Sequence, residues 1–295
     1  MTDRSKGALL AFAGVCILSP DSLLVRMLDM EQWTMLTWRG AGLAVGLAVF
    51  MLILRGRKAF SGAAAAGAAG LGVAIFYSGA SILFVTSLYH TTVANTLALI
   101  NTAPLFAALM TRFWLKERLP RRTWIAILLC LVAIGVIVGG DVSANPNYLE
   151  GDFMALGQAL CLAATFVLIR SKAQVNTLPY MALGGVIVAL ASAPLAGGAA
   201  VPWDKLPLLM LLVLGVLPVS FAMLFVAPRY ISAPEVNMTM LLEMLLAPLL
   251  VWALLGEKPP TSTLAGGAVL MVALFGNAAL GLHEQRRAHE APRLG

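Results

Sequence analysis

The chain has 295 residues, 60% of them hydrophobic and only 12% charged, with a mean hydropathy of +0.89 and a formal net charge of +6. A soluble domain carries about 25% charged residues, so the composition excludes a soluble globular protein and implies an integral membrane protein. The positive excess falls in short breaks between apolar runs, where it sets orientation, and does not point to a nucleic-acid partner.

A bilayer-crossing helix needs ~20 mostly apolar residues. In chain order the apolar runs predict spans at 7–25, 33–54, 64–88, 92–115, 121–140, 150–170, 179–197, 206–229, 233–255 and 262–282. The first follows Arg4 and Lys6 and has the look of a secretory leader. Its small-x-small candidate, Ala11-Phe12-Ala13, leaves too short an apolar region ahead of it, so the stretch reads as a span. The third run is rich in Ala and Gly, and the seventh is short and contains Pro194.

Positive charge tests this count, because cytoplasmic loops hold most Lys and Arg. Starting inside, one side collects Arg4, Lys6, Arg55, Arg57, Lys58, Lys116, Arg118, Arg121, Arg122, Arg170, Lys172, Arg229, Arg286, Arg287 and Arg293. The other collects Arg26, Lys205 and Lys258. The asymmetry predicts ten spans with both termini cytoplasmic, in a bacterial-type inner membrane.

Two segments resemble each other within the chain. Thr92 to Leu115 runs into Lys116-Glu117-Arg118-Leu119-Pro120, and Ala233 to Leu255 runs into Gly256-Glu257-Lys258-Pro259-Pro260. The glutamate and the proline turn persist while positive charge is lost, as expected if the second copy faces the other side. Five spans per copy is an odd number, so a second copy must enter the membrane inverted. The fold expected is therefore an all-α polytopic membrane protein, ten transmembrane helices as two inverted five-helix repeats around a central cavity. The repeats are placed at 1–143 and 148–285, with a cytoplasmic tail over 286–295. Asp141 to Asp152, acidic and free of Lys and Arg, is expected to be the external joint. Inverted repeats are a recurrent transporter architecture with a site near the midplane.

On these residues the chain resembles the drug/metabolite transporter superfamily, EamA type, over essentially its whole length. Trp38-Arg39 resembles that family's aromatic-Arg start to the second span, Arg229-Tyr230-Ile231-Ser232 its entry into the ninth, and Gly256-Glu257-Lys258 its helix end. The chain departs from the pattern at Glu243-Met244, where many relatives have Glu-Pro, and at Ser19-Pro20-Asp21-Ser22, where relatives often have Trp-Gly-Ser. The resemblance implies movement of small metabolites, often export, through a cavity lined by spans 3, 4, 8 and 9.

Ionisable groups in hydrocarbon are costly and normally face a partner or a wet cavity. Glu243, mid-way along the ninth span, is the leading candidate to bind a cationic group or carry a proton. The alternative is a hydrogen-bonded glutamate that ties helices together. Arg39, about a turn and a half inside the second span, offers a planar fork to a substrate carboxylate, or else is an outward-snorkelling arginine or a structural one paired with Asp21 or the first span. Asp21 and Arg26 are expected at the external rim. Asn95 and Asn101 in the fourth span and Asn237 in the ninth offer hydrogen bonds either to a substrate or between helices. Tyr77, Ser78 and Ser81 in the third span and Ser220 in the eighth supply an aromatic wall and hydroxyls. Pro104, Pro218 and Pro248 are hinge candidates because each removes a backbone hydrogen bond. Glu117 and Glu257 are expected to pair within their own turns.

No catalytic or metal-binding residue is expected. Cys16, Cys130 and Cys161 are scattered among apolar runs, and of His90, His283 and His289 two lie in the tail. No HExxH, GxSxG or P-loop pattern occurs, so no cofactor and no nucleotide engine is implied. The reading is a secondary active transporter, and its alternatives are an intramembrane enzyme or a non-transporting scaffold. Partners expected are a small-molecule substrate, the lipid bilayer and, as a further candidate, protons. Amino acids, purines and toxic cations all remain open as substrates, as do the monomer and the homo-oligomer.

Overall fold

Long runs of Leu, Ala, Val, Ile and Met leave the backbone of this chain no polar solvent within the bilayer, and the α-helix satisfies each N–H and C=O inside its own segment. The computed structural model describes residues 3–56, 67–114, 119–171, 177–198, 200–227, 230–231 and 239–290, and among them every regular element is helical. Among the described residues, eight helices are long and apolar enough to cross a membrane, and two shorter apolar helices, Leu178–Ser192 and Glu243–Leu255, stand where the seventh and ninth spans are expected.

The first span is two helices, α1 (Asp3–Leu18) and α2 (Asp21–Leu28), broken at Ser19-Pro20. The second and third are α3 (Gln32–Arg55) and α4 (Gly67–His90). The fourth is again broken, into α5 (Val93–Ile100) and α6 (Ala103–Trp114). Then follow α7 (Arg121–Ala144), α8 (Tyr148–Ser171) and α9 (Leu178–Ser192). The eighth span joins α10 (Leu206–Met210) through a π-helical segment, Leu211–Val216, to α11 (Leu217–Val226). The last two are α12 (Glu243–Leu255) and α13 (Thr261–Glu290). The joint between halves is shorter than expected: α7 extends to Ala144 and α8 begins at Tyr148, so Asp152 lies inside a helix.

The packing repeats with a period of five spans. α4 packs on α8 as α1 packs on α11, which pairs span 3 with 6 and span 1 with 8. The pairs α3 with α9, α7 with α13 and α5 with α12 join each span to its own counterpart and so lie along the two-fold relation between halves. Gly40 and Gly185 mark that axis. A Cβ on Gly40 would stand 2.6 Å from the Gly185 carbonyl oxygen, and one on Gly185 would stand 2.7 Å from the Gly40 oxygen. Only glycine allows two backbones to approach this closely, the usual device where helices associate in lipid.

The breaks after α2, before α5, before α8, after α9 and after α12 gather at one end, which the charge rule predicts to be external. There the Lys205 ammonium donates to the Asp29 carbonyl (2.9 Å), the Thr34 hydroxyl to the Gly198 carbonyl (3.1 Å), and the Tyr89 hydroxyl to the Met30 carbonyl.

Candidate functional site

Two polar clusters interrupt the apolar interior, one near mid-depth and one at the outer end. The first forms because the broken spans bring charge inward. Asp21 is the first residue of α2, just after the break at Ser19-Pro20, and Glu243 is the first residue of α12. At ~1.5 Å per residue, the eight residues of α2 and the thirteen of α12 carry these carboxylates ~12 and ~20 Å below the outer end. Those depths bracket the middle of a hydrocarbon layer ~30 Å thick. A carboxylate in the first turn also meets the positive end of its own helix dipole.

Arg39 of α3 reaches Asp21 with both arms of its guanidinium, Nη1 to Oδ1 and Nη2 to Oδ2, the second at 2.6 Å. Both residues are buried, at 6% and 3% exposure. The guanidinium carbon lies 5.1 Å from the centroid of the Phe84 ring, which covers it with a cation–π contact. Tyr77, one helix face with Phe84 at a seven-residue spacing, meets Phe221 of α11 edge-on, with centroids 6.1 Å apart and planes at 85°. Glu243 is half-buried and close enough for its charge to act on both Asp21 and Arg39. The cluster thus joins spans 1, 2, 3, 8 and 9, with two carboxylates and one guanidinium.

Of the residues singled out from sequence, the structure brings Arg39, Tyr77 and Glu243 together. Asp21 is not at the external rim, since the break at Ser19-Pro20 turns it into the interior. Ser78 donates to the Ala74 carbonyl and Ser220 to that of Leu217, so both hydroxyls fold back on their own helices. Ser81 is half-buried on α4. Asn101 sits in the break of span 4, where its amide donates to the Leu97 carbonyl at 2.7 Å and caps α5. Asn237 lies outside the described residues, as does Glu117. Pro104 occupies the first turn of α6, where a missing N–H costs no helical bond, whereas Pro218 directly follows the π-helical segment inside a continuous span, where its missing N–H removes one. Pro248 lies inside α12, whose helix runs through it.

Asn95 belongs to the second cluster. It is fully buried, donates to the Thr91 hydroxyl (3.0 Å) and to Asp152 Oδ1 (3.3 Å), and accepts from the Thr263 hydroxyl. Thr91 also donates to Asp152 Oδ1, at 3.0 Å. Asp152 is fully buried on α8, because the close contact of Gly151 with the His90-Thr91 backbone draws the start of α8 into the interior. Above it, Glu257 does not pair within its own turn. Its Oε2 lies 3.4 Å from Arg26 Nε and its Oε1 accepts from the Val93 amide at 2.8 Å, while Arg26 Nη2 donates to the Thr91 carbonyl at 2.7 Å.

Sequence reasoning missed Phe84, Phe221 and Asp152. The seven-residue interval from Tyr77 was available for Phe84, whereas nothing local ties Asp152 to partners about sixty residues away. A separate apolar cleft of about 380 Å³ between α6 and α8 is lined by Phe106, Leu109, Met110, Phe113 and Leu160. It offers no polar recognition.

A ten-span helical bundle with paired halves and charge buried at the broken helices defines a multi-pass membrane protein of transporter architecture. The chain belongs to the EamA-like transporter family, whose model matches residues 5–139 and 149–278. It is 26% identical over 180 residues to a Bacillus subtilis (strain 168) protein named Uncharacterized transporter YdfC, covering 58% of each chain. A crystal structure of a protein 18% identical to it superposes with a TM-score of 0.63, over 94% of this chain and 98% of that one. The family's two repeats match the pairing of the helices, and the apolar spans make the chain a multi-pass membrane protein of that family.

Proposed function

We propose that the protein is a secondary active transporter that exports a small polar or amphipathic metabolite across the cytoplasmic membrane by alternating access, with both termini in the cytoplasm. The observation that carries this reading is the mid-depth cluster, where the interrupted first and ninth spans, one from each repeat, present Asp21 and Glu243 to Arg39 of the unbroken second span, beside Tyr77. Arg39 is committed to Asp21 by a two-armed pair, which leaves Glu243 as the group that exchanges a proton or a cationic substrate group. Tyr77 and Phe221 wall the same space, with Ser81 and Ser220 near it on the helices of the third and eighth spans. Pro104 lies beside the break of the fourth span and Pro218 beside the π segment, while Pro248 lies within α12 and removes a bond from its interior, and the three serve as hinges.

The test is a proteoliposome carrying a pH-sensitive dye, challenged in turn with amino acids, purines and organic cations under an imposed pH gradient. One class is expected to move protons with wild-type protein. Glu243→Gln is expected to lose gradient-driven flux on the order of tenfold, the factor supplied by ~1.4 kcal/mol. Undiminished flux in Glu243→Gln removes the exchange role from this residue.

A further inference from the structure

The turn at Gly256-Glu257-Lys258, together with Arg26, forms a grip on the other side of the bundle. Spans 3, 4 and 6 pack together through α4, α5, α6 and α8, and spans 1, 8 and 9 through α1, α2, α11 and α12, with the two groups meeting where α5 packs on α12. Arg26 ends α2 and Glu257 follows α12, so both belong to the second group. Gly256, in the left-handed region at φ 72, ends α12 and turns Glu257 inward. The residues they hold belong to the first group. Arg26 donates to the Thr91 carbonyl and Glu257 accepts from the Val93 amide, two backbone groups of the turn between α4 and α5. Beneath this grip, Thr263 ties Asn95, in the first turn of α5, to α13.

The geometry points to an outer gate in which the Arg26–Glu257 pair clamps the backbone of the buried Thr91–Val93 turn and releases it when the outer end opens. Energetics suit a contact that must break in every cycle. The two side chains are 29% and 26% exposed, and ion pairs in contact with water contribute little net stability. The turn offers backbone groups of fixed polarity, a carbonyl to the arginine and an amide to the glutamate. The clamp therefore depends on which partner stands on which side and not only on the pair being made.

This proposal rests on the transport reading for the meaning of opening, but its test needs no transported substrate. Cys16, Cys130 and Cys161 are replaced, and nitroxide labels are placed at Asn147, ahead of α8, and Lys258, both exposed. Pulsed electron–electron resonance in lipid nanodiscs then reads the distance across the outer end. Arg26→Gln and Glu257→Ala are each expected to raise the ratio of long to short distances on the order of fivefold, a modest coupling between sites. The exchange Arg26→Glu with Glu257→Arg restores an ion pair but sets a carboxylate against the Thr91 carbonyl and a guanidinium against the Val93 amide, so it is expected not to restore the short distance. Arg26→Lys, the mildest change, keeps the charge but lacks the fork that reaches both partners, and is expected to shift the ratio the same way. A short distance restored by the exchange, or distributions unchanged in Arg26→Lys and Glu257→Ala, overturns the clamp. Loss of proton flux in the previous experiment with the clamp intact would leave this result standing by itself.

Discussion

At the scale of the residue, the Asp21–Arg39 pair decides the most. Removing one member of a buried ion pair leaves the other charge without compensation and typically costs ~3–5 kcal/mol. Asp21→Ala is accordingly expected to lower the unfolding free energy by about that amount in detergent. The double variant Asp21→Leu with Arg39→Met should lose less than the single one, and a greater loss in the double would show that the pair stabilises the fold directly. Glu31 gives a second residue-scale prediction, with a defined pH window. Burial alone would push its carboxyl up, but bonds from the Trp33 and Thr34 amides (2.9 and 2.7 Å) and the Thr34 hydroxyl (2.9 Å) hold it below the ordinary carboxylate range. A carboxyl lowered in the folded state contributes stability that is complete above its unfolded pKa and lost as pH falls through the folded value. Glu31→Ala should therefore cost ~0.5–1 kcal/mol at neutral pH, the low end for a helix cap at an exposed position. The difference from wild type should shrink in thermal unfolding below a pH of about 4.3.

At the scale of the element, the breaks and close approaches matter more than the lengths. Span 4 breaks at Asn101-Thr102 and span 9 at Leu241-Leu242, and both pairs lie at the same interval from Glu117 and Glu257. The repeated turn thus marks repeated breaks as well. The α3–α9 crossing is a further place where one residue controls an element. Gly185→Leu would drive a side chain into the Gly40 carbonyl and the Ala44 backbone amide, 2.7 and 3.1 Å from its Cβ. Backbone cannot yield as a side chain end can, so a loss of ~3 kcal/mol or more is expected, the upper range for overpacking. Thermal unfolding followed by tryptophan emission measures it, and a wild-type midpoint would count against close packing at this axis.

How much of this was legible in the sequence follows the same division. Hydropathy located the spans to within a few residues at most ends, because apolar length is a property of each segment alone. It passed over the break at Ser19-Pro20, since Ile17, Leu18, Leu23 and Leu24 keep the average high on both sides, and Asp21 was consequently placed at the rim. It read Asp152 as part of a polar loop because Asp141, Asn145 and Asn147 precede it. The burial of that carboxylate depends on Thr91 and Asn95, contacts that no local pattern encodes. Glu257 was expected to pair within its own turn for the same reason, since its partners Arg26 and Val93 come from the first repeat.

At the scale of the whole molecule, two halves of five spans share one axis through α3 and α9, α5 and α12, and α7 and α13. Asp21, Arg39 and Glu243 stand at mid-depth, and a second set of charged and hydrogen-bonding groups, with Arg26, Asp152 and Glu257, stands at the outer end. This is the arrangement expected of a carrier in which a central group is exposed alternately to either side. The most direct test of that account is metabolite profiling of the medium around cells expressing wild type or Glu243→Gln at equal membrane abundance. The account predicts one metabolite or a small chemical class enriched several-fold by wild type and returned to the empty-vector level by Glu243→Gln. Identical media from the two strains would contradict it.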